Sequence, residues 1–400
     1  MAGITGMGDT FNLPNYAGEL FALTPEDTPL LSAIGGLTGG GMTTGQEFEW
    51  QTYDLRDPSQ RTRVEGATAP TAEERARANV RNVVQIHQEK VSVSYTKQAA
   101  IGALATPGSA PFRGVDGANP VTNELDWQVA QALKSIALDV NYSFINGTYA
   151  NPTTNATARK SRGLLAAITT NRIAKGVTTT GASSATDTIT ATAHGLVDGD
   201  RIVFTNTSTA TGIVAGRAYY VDQIDVNTFK VSSTAGGAPI TLGTATGIAY
   251  TKPWTTDLTP DHVSDLLQLA YDNGGISEQA TATLIANSAQ KRAVSRAFAN
   301  AYGKFQETSR TVGGVNVTTI VTDFGTLNLM LDRHMPQDSL CVASLEQLRP
   351  VFLNVPGKGV MFEEPLAKTG ASDEVQLYGE VGLEYGNERA HGVLTGLKVA

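Results

Sequence analysis

The tripeptide Asp323-Phe324-Gly325 matches a magnesium-binding motif. It has the order found in the magnesium loop of protein kinases, where the aspartate binds the metal. A kinase also needs an HRD-type loop upstream and a lysine on a strand that follows a glycine-rich loop, and this sequence has neither. Aspartate and glycine are ordinary turn residues. The sequence therefore favours a hairpin turn here over a metal site.

The glycine-rich run from Gly35 to Gly41 could be mistaken for a phosphate-binding loop. Such a loop follows a strand and ends in Gly-Lys-Ser or Gly-Lys-Thr, because backbone amides and the lysine hold the phosphates. No strand pattern precedes this run, and the ending is missing. We predict a flexible hinge.

The residue types that usually bind metals are scattered along the chain. None of the five histidines has a partner at a ligand spacing such as HExxH. The single cysteine, Cys341, lies in the apolar run LCVASL, which predicts a buried and unreactive thiol. We expect no catalytic group, no cofactor and no metal, and therefore a protein that is not an enzyme. The histidines are His87, His194, His262, His334 and His391.

A group of arginines between residues 56 and 81 carries the remaining chemistry. Guanidinium groups form forked ion pairs with carboxylates, so these side chains are candidates for contacts with acidic patches on neighbouring subunits. The alternative is a solvated charged surface, which contributes little by itself. Both interpretations stay open from the sequence. The candidate inter-subunit contacts are Arg56, Arg61, Arg63, Glu65, Arg75, Arg77 and Arg81.

These arginines lie in a segment that is predicted to project from its domain. Two strand-like runs, EFEWQTYDL and VVQIHQEKVSVSY, enclose a polar middle that contains Pro58, Gly66 and Pro70. The middle has almost no large apolar side chains with which to hold itself against its own domain. Long loops without a core are either functional or disordered. The flanking strands favour a functional arm that needs a neighbour.

Composition sets the general class of protein. The chain has 400 residues, 41% hydrophobic residues and a formal net charge of -8, which suits two or three globular domains. No signal-like segment or run of about 18 apolar residues predicts secretion or a membrane span. The first lysine or arginine is Arg56, so the N-terminal segment before it is a poor candidate for DNA binding. A single cysteine excludes an internal disulfide framework and fits a reducing cytosol.

The longest predicted helix runs over residues 119–147. Asn119-Pro120 gives a cap followed by proline at the first helical position, and Gly147 follows the end. Apolar residues recur at steps of three and four, and the length of roughly 40 Å suits a spine. The apolar stripe consists of Leu125, Val129, Leu133, Ile136, Val140 and Phe144.

An all-β module is predicted over residues 170–256, where threonine is frequent and turn signals recur at short intervals. The strand candidates are DTITATA, DRIVFTN, AYYVDQI, NTFKVSS and PITLGT. The chain on both sides reads as mixed α and β, with helices from Thr259-Pro260 and Ser288 and a hairpin around residues 323–325. The predicted fold class is therefore α+β with an inserted, sandwich-like β module whose ends lie close together.

In this arrangement the chain resembles the major capsid proteins of tailed bacteriophages, which have the Hong Kong ninety-seven-type shell fold. The segments that carry the resemblance are TPEDTPLLSAIG, EFEWQTYDL, VEGATAP, SRGLLAAI, VTDFGTLNLMLDRHMP and LAKTGASDEVQLYGEVGLEYGNERAHGVLTGL. The resemblance implies an N-terminal arm (1–46), an extended loop (47–96), a peripheral domain with the spine helix (97–156 and 339–400) and an axial domain (157–338) interrupted by the module.

The resemblance also implies a function and partners. A capsid subunit assembles into hexamers and pentamers of an icosahedral or prolate shell, encloses double-stranded DNA as a neighbour without sequence-specific binding, and belongs to the virion after assembly in the host cytoplasm. Scaffolding, portal and decoration proteins are possible partners, and no fused scaffold or membrane is expected. Crosslinked shells of this type use a lysine on the extended loop. Since no lysine lies between Glu47 and Glu89, we predict a non-covalent shell.

Two alternatives remain open from the sequence. A cellular nanocompartment shell of the same fold would enclose cargo enzymes instead of DNA. A phage tail or adhesion protein is suggested by the threonine-rich module alone, and that reading accounts for neither the arm nor the spine helix.

Overall fold

The computed structural model describes residues 26–56, 58–99, 124–276, 282–302, 319–367 and 370–399. The helices are α1 (Pro29–Ala33), α2 (Tyr95–Ala99), α3 (Glu124–Asn146), α4 (Leu164–Ala167), α5 (Pro260–Asp272) and α6 (Ser288–Tyr302). The strands are β1 (Gly41–Thr43), β2 (Glu47–Tyr53), β3 (Arg77–Val83), β4 (Gln85–Ser94), β5 (Arg172–Ala174), β6 (Val177–Ser183), β7 (Ile189–Thr190), β8 (Arg201–Asn206), β9 (Ala218–Gln223), β10 (Thr228–Ser232), β11 (Ala245–Lys252), β12 (Ala282–Ala286), β13 (Thr319–Thr322), β14 (Gly325–Leu331), β15 (Leu340–Ser344), β16 (Arg349–Leu353), β17 (Met361–Pro365), β18 (Ser372–Glu384) and β19 (Gly392–Thr395).

The chain divides into two compact units. The larger unit contains Thr28–Ile86, Asp139–Val360 and Glu380–Ala400, and the smaller one contains Met1–Asp27, His87–Leu138 and Met361–Gly379. In the smaller unit, β17 pairs antiparallel with the first part of β18, which also pairs with β4. Lys90 Nζ lies 2.8 Å from Glu374 Oε2 in this unit.

A six-stranded sheet forms the centre of the larger unit, in the order β13-β14-β12-β15-β19-β5. β12 and β15 are buried along their whole length, as expected for inner strands that are covered on both faces. α5 and α6 share one apolar core with this sheet, to which they contribute Val263, Leu266, Val294 and Phe298. The mixed α+β character predicted from the sequence is confirmed.

Both helices begin close to their predicted starts. Proline occupies the first position of α5, and the backbone N–H of Thr259 donates to His262 Nδ1 at 3.1 Å. The cap of α6 is one residue earlier than predicted: Asn287 Oδ1 accepts from the backbone N–H of Ala289, and Ser288 is the first helical residue. The shift is small because serine and asparagine are both good capping residues.

The kinase-like tripeptide is a hairpin turn, as predicted. β13 pairs antiparallel with β14, and Thr322 lies opposite Gly325. Thr322 Oγ1 donates to the carbonyl of Gly325 at 3.0 Å and accepts from the backbone N–H of Phe324 at 3.3 Å. These bonds hold the backbone of the turn.

The inserted module spans β6 to β11 and is a closed barrel in the order β10-β7-β6-β11-β8-β9. The predicted all-β character is confirmed, but one continuous cylinder replaces the two facing sheets of a sandwich. Its interior is filled by aromatic side chains in edge-to-face contact, with Phe229 and Tyr250 at 5.4 Å and Phe204 and Tyr219 at 5.5 Å between ring centroids. Closure removes the exposed strand edges that a small open sheet would present.

The barrel strands agree only partly with the predicted ones. DRIVFTN, AYYVDQI and NTFKVSS correspond to β8, β9 and β10, whereas PITLGT forms no strand and DTITATA contributes only the two residues of β7. The sequence analysis missed β6 and β11, which pair with each other from Ser183–Ala245 to Val177–Lys252. Their glycines and threonines hide the alternation that marks a strand.

The two ends of the insertion meet, as predicted, because Val177 and Lys252 are cross-strand partners. The junction with the sheet is very close: a Cβ on Gly176 would lie 2.7 Å from Lys252 O and 3.0 Å from Gly396 Cα. The backbone N–H of Trp254 donates to Gly396 O at 2.8 Å. Only glycine permits this approach of two backbones.

The predicted spine helix is observed as α3. It ends at Asn146 before Gly147 as expected, while the predicted start at residues 119–123 lies outside the described residues. Val140 and Phe144 of the predicted stripe are buried, but Leu133 is exposed. In the larger unit, Asn141 Oδ1 accepts from the backbone N–H of Leu31 at 2.9 Å, so a buried amide joins α3 to α1.

The helices of the described ranges differ from membrane spans in length or polarity. Each of them is too short or too polar to cross a bilayer.

Candidate assembly interface

The projecting arm is a hairpin of β2 and β3, paired from Glu47–Val83 to Tyr53–Arg77. This corrects the predicted pairing, because the run VVQIHQEKVSVSY does not return along the first strand. Most of that run is β4, which pairs with β18. The return strand was missed because RANVRNV is polar, and its stability comes from the backbone ladder and from Asn82 and Val83, which are buried at its end.

The root of the arm is fixed by aromatic contacts in the larger unit. Trp50 Nε1 donates to the carbonyl of Gly386 at 2.7 Å, and its ring meets Tyr385 edge-to-face at 4.8 Å. Phe48 lies so close to Gly382 that a Cβ there would be 2.7 Å from Phe48 Cε1. The C-terminal segment therefore forms the seat on which the arm rests.

A buried asparagine completes the root. Asn82 Nδ2 donates to the carbonyls of Leu383 at 2.7 Å and Arg162 at 3.1 Å. Its Oδ1 accepts from the backbone N–H groups of Val83 at 2.9 Å and Arg162 at 2.8 Å. All four hydrogen-bonding positions of the amide are used, so three chain segments are joined at one side chain.

Beyond the root, the arm has no core. Every described residue from 53 to 79 is exposed. Large apolar side chains are included: Tyr53 is 71% exposed, Leu55 69% and Val64 79%. A single chain leaves this apolar surface in water, which marks the loop as a surface that a partner can cover.

Within the loop, three of the candidate arginines gather on one carboxylate. Glu73 Oε1 lies 2.7 Å from Arg61 Nη1, and Glu73 Oε2 lies 3.0 Å from Arg75 Nη2 and 3.9 Å from Arg56 Nε. The hydrogen bonds from Arg61 and Arg75 lower the pKa of the Glu73 carboxyl from 4.5 to about 2. Sequence reasoning missed Glu73, because nothing in its spacing from the arginines distinguishes it from Glu74.

Two further candidates, Arg77 and Arg81, lie on β3 and reach across the ladder. Arg77 Nη1 donates to Gln51 Oε1 at 3.1 Å, and Arg81 Nη1 lies 3.4 Å from Glu47 Oε1. These contacts belong to the hairpin, so both side chains have partners within their own chain.

The last two candidates lie together at the tip. Arg63 and Glu65 flank Val64 in a turn where the backbone N–H of Ala67 donates to Val64 O at 3.1 Å. Within the described ranges, neither charged side chain makes a hydrogen bond or an ion pair. The arm as a whole, from residue 47 to 83, contains six arginines and seven carboxylates, so it is not a basic surface.

The other chemistry considered from the sequence is structural. Cys341 is buried in β15 as predicted, and burial raises the pKa of its thiol to about 12. Among the residues that the structure describes, no group of three His, Cys, Asp or Glu side chains is arranged to hold a metal ion.

A subunit with a seated hairpin arm, a long helix and a mixed sheet domain has the architecture of a viral shell protein. The chain belongs to the SU10 major capsid protein family, whose model matches residues 3–398. It is therefore a phage major capsid protein, a structural protein of the virion shell, and the recognition made from the sequence is confirmed.

A solved capsid structure shows the same fold. The capsid protein of cyanophage A-1(L) is similar with a TM-score of 0.55 and 10% sequence identity, over 96% of this chain and 97% of that one. This likeness confirms the Hong Kong ninety-seven-type fold predicted from the sequence.

Two weaker likenesses have TM-scores below 0.5. The capsid of a native GTA particle scores 0.48 at 11% identity, covering 99% of this chain and 98% of the other. The SrpI encapsulin of Synechococcus elongatus PCC 7942 scores 0.46 at 11% identity, covering 97% and 93%. No curated protein matches the chain. The family match thus favours the phage shell over the nanocompartment alternative.

Proposed function

We propose that this capsid protein builds an icosahedral or prolate shell of hexamers and pentamers around the double-stranded DNA of a tailed phage, and that its arm holds neighbouring subunits together without covalent bonds. The observation that carries this proposal is the arm itself, which is firmly seated at its root and has no core beyond Tyr53. Burial of Tyr53, Leu55 and Val64 between subunits would supply stability that the single chain lacks.

The seven candidate residues take different roles in this proposal. Arg56, Arg61 and Arg75 shape the loop around Glu73, since their charge is shared with a carboxylate of the same chain. Arg77 and Arg81 stiffen the hairpin. Arg63 and Glu65 meet the neighbouring subunit, because they lie at the tip beside Val64, which is 79% exposed.

The non-covalent character of the shell rests on the absence of lysine between Glu47 and Glu89. The arm therefore offers no amine for an isopeptide bond. Denaturing gels of mature particles should show a single band at the mass of the chain. A ladder of covalent multimers would contradict this part of the proposal.

The division into a peripheral domain (97–156 and 339–400) and an axial domain (157–338) belongs to the same proposal. So do a separate scaffolding protein, a portal, decoration proteins and assembly in the host cytoplasm. The negative net charge of the chain supports packaged DNA as a neighbour rather than a tightly bound ligand.

The barrel is proposed to stand on the outer surface of the shell. Its support is that the barrel meets the sheet domain through local contacts: the close approach of Gly176 to Gly396, the hydrogen bond from the backbone N–H of Gln337 to Gly216 O at 2.8 Å, and the one from Arg201 Nη1 to Val399 O at 3.1 Å. Replacing residues 177–252 by a short glycine-serine linker should leave the rest folded, because Val177 and Lys252 are adjacent. The deletion must spare Ile173, which lies in β5 of the six-stranded sheet. Loss of folding, or a barrel facing the genome, would contradict the proposal.

The experiment that tests the main proposal is electron microscopy of the purified chain, with sedimentation in parallel. Closed shells, or sheets and tubes with a hexameric lattice, are the expected result, with the arm lying over an adjacent subunit. The matched pair is Val64→Asp, which should impair assembly, and Val197→Asp, which changes another exposed valine, on the barrel, and should not. Equal assembly of both variants would remove the arm from the mechanism.

A further inference from the structure

A second charged surface lies on α5, on the face that points away from the sheet. Asp261, Asp265 and Asp272 are exposed and are spaced by four and seven residues, so they form one row, the acidic ridge. The opposite face of the helix buries Val263 and Leu266 in the core. The acidic ridge is therefore held in place by a rigid element.

α6 carries a matching row of the opposite sign. Arg292 and Arg296 are exposed at a spacing of four, with half-buried Lys291 beside them, and these three residues form the basic ridge. α6 buries Val294 in the same core, and the two helices contact each other. Rows of opposite charge thus lie on neighbouring helices of one layer.

The charges of these ridges have no hydrogen-bond or ion-pair partner among the described residues. One through-space contact exists, since Arg296 helps Lys398 to lower the pKa of the Asp257 carboxyl. Lys398 Nζ already binds that carboxylate at 2.7 Å. The ridges differ in this respect from the arginines of the arm, most of which have partners in their own chain.

Apart from Asp261, whose place in the first turn of α5 is favoured by the helix dipole, the charges also work against the helices that carry them. Asp261 and Asp265 form a like-charge pair at i and i+4, as do Arg292 and Arg296, and such pairs destabilise a helix. Asp272 is negative at the C-terminal end of α5, where the helix dipole favours a cation. Charges that oppose local stability are expected at functional positions.

We propose that the acidic ridge of α5 docks on the basic ridge of α6 in a second copy of the chain. The partner is identified by the pattern: a row of three acidic side chains lies next to a row of two arginines with Lys291 beside it, and this pattern is complementary to the same surface on another copy. Nucleic acid would be attracted by one row and repelled by the other. This inference rests on the proposed shell assembly and adds a second contact surface that is independent of the arm.

The test uses two variants that each carry one sign of charge. Asp261→Arg with Asp265→Arg makes both ridges basic, and Arg292→Asp with Arg296→Asp makes both acidic. Sedimentation of the full-length chains at about 0.05 M salt should show roughly tenfold weaker association for each variant alone than for the equimolar mixture. About 0.5 M salt should abolish the advantage of the mixture.

The control is Asp222→Arg, which adds positive charge at an exposed position of the barrel and should leave association unchanged. Circular dichroism of each variant separates loss of docking from loss of folding. The proposal is overturned if the mixture associates no better than its separate components. It is also overturned if the acidic variant associates normally but retains less DNA, which would assign the basic ridge to the genome. Shells formed by the unaltered chain would leave the proposed function intact in either case.

Discussion

The arm and the helices α5 and α6 are both rich in charged side chains. Most arginines of the arm have hydrogen-bond or ion-pair partners within the chain, whereas the ridges on the two helices do not have any among the described residues. In the arm, Glu73 collects three arginines, and β3 pairs two more across the hairpin. On α5 and α6, the described chain provides no ion pair for the ridges. The arm leaves apolar surface uncovered and the helices leave charge uncovered, so the two regions offer neighbouring subunits different kinds of contact.

The contrast shows that a run of charged residues in a sequence does not by itself identify an interface. Exposed ion pairs within one chain contribute little stability, yet they determine which charges are still available to a partner. The arginine-rich arm was the obvious candidate from the sequence. The structure leaves Arg63 at the tip as the one arginine of the arm without a partner among the described residues, and it brings forward two helices that the sequence analysis treated only as elements of the fold.

The largest expected effect concerns how the arm is held. If the root depends on Asn82 and not on charge, Asn82→Ala should lower the free energy of unfolding by about 3 kcal/mol, because buried partners at Arg162 and Leu383 lose their hydrogen bonds. Chemical denaturation, carried out on chains that are kept from assembling, measures this difference in the free energy of unfolding. Asn79→Ala is the matched control on the same strand, where one exposed bond to Glu49 is lost and little change is expected. Similar losses for both variants would contradict a root fixed by Asn82.

The second expected effect concerns the loop. Glu73→Gln removes the carboxylate shared by Arg56, Arg61 and Arg75, so the loop should open and trypsin should cleave it several-fold faster. Glu74→Gln is the control, since the described chain provides that neighbouring side chain with no hydrogen bond or ion pair. Equal cleavage rates for the two variants would show that the cluster does not order the arm.

Helices and sheets were easier to predict than these contacts for a physical reason. The stripe Val263, Leu266, Leu267 and Ala270 follows the helical period, so α5 could be placed from the sequence. Pairing of β2 with the polar β3 depends on backbone bonds, which leave little trace in composition. The path of the loop brings Glu73 to the arginines, and its spacing in the sequence does not reveal this contact. The ridges could have been predicted from the sequence, because their like charges are spaced by four residues.

A third expected effect is a change with pH in the arm. Hydrogen bonds from Arg61 and Arg75 lower the pKa of Glu73 in the folded chain to about 2, against 4.5 for the free side chain. The carboxylate therefore supports the loop fully above pH 4.5, and this support is lost as the pH falls from 4.5 towards 2. NMR titration of the Glu73 carboxyl should give a midpoint of about 2 in the unaltered chain and a higher midpoint in Arg61→Gln. Arg63→Gln should leave it in place, and a midpoint near 4.5 in the unaltered chain would refute the cluster.

The smallest expected effect is an increase in the free energy of unfolding, and it concerns the basic ridge. Lys291 lies in the first turn of α6, where the dipole of the helix disfavours a cation and no acidic residue offsets it. Lys291→Glu should therefore raise the free energy of unfolding of the single chain by about 0.5 kcal/mol while weakening association between chains. Arg296→Glu, two turns into the helix, should weaken association without the gain in stability. For Lys291→Glu, stability and association would then change in opposite directions. That result would show that the charge of Lys291 serves contact with a neighbouring subunit and not the stability of its own helix.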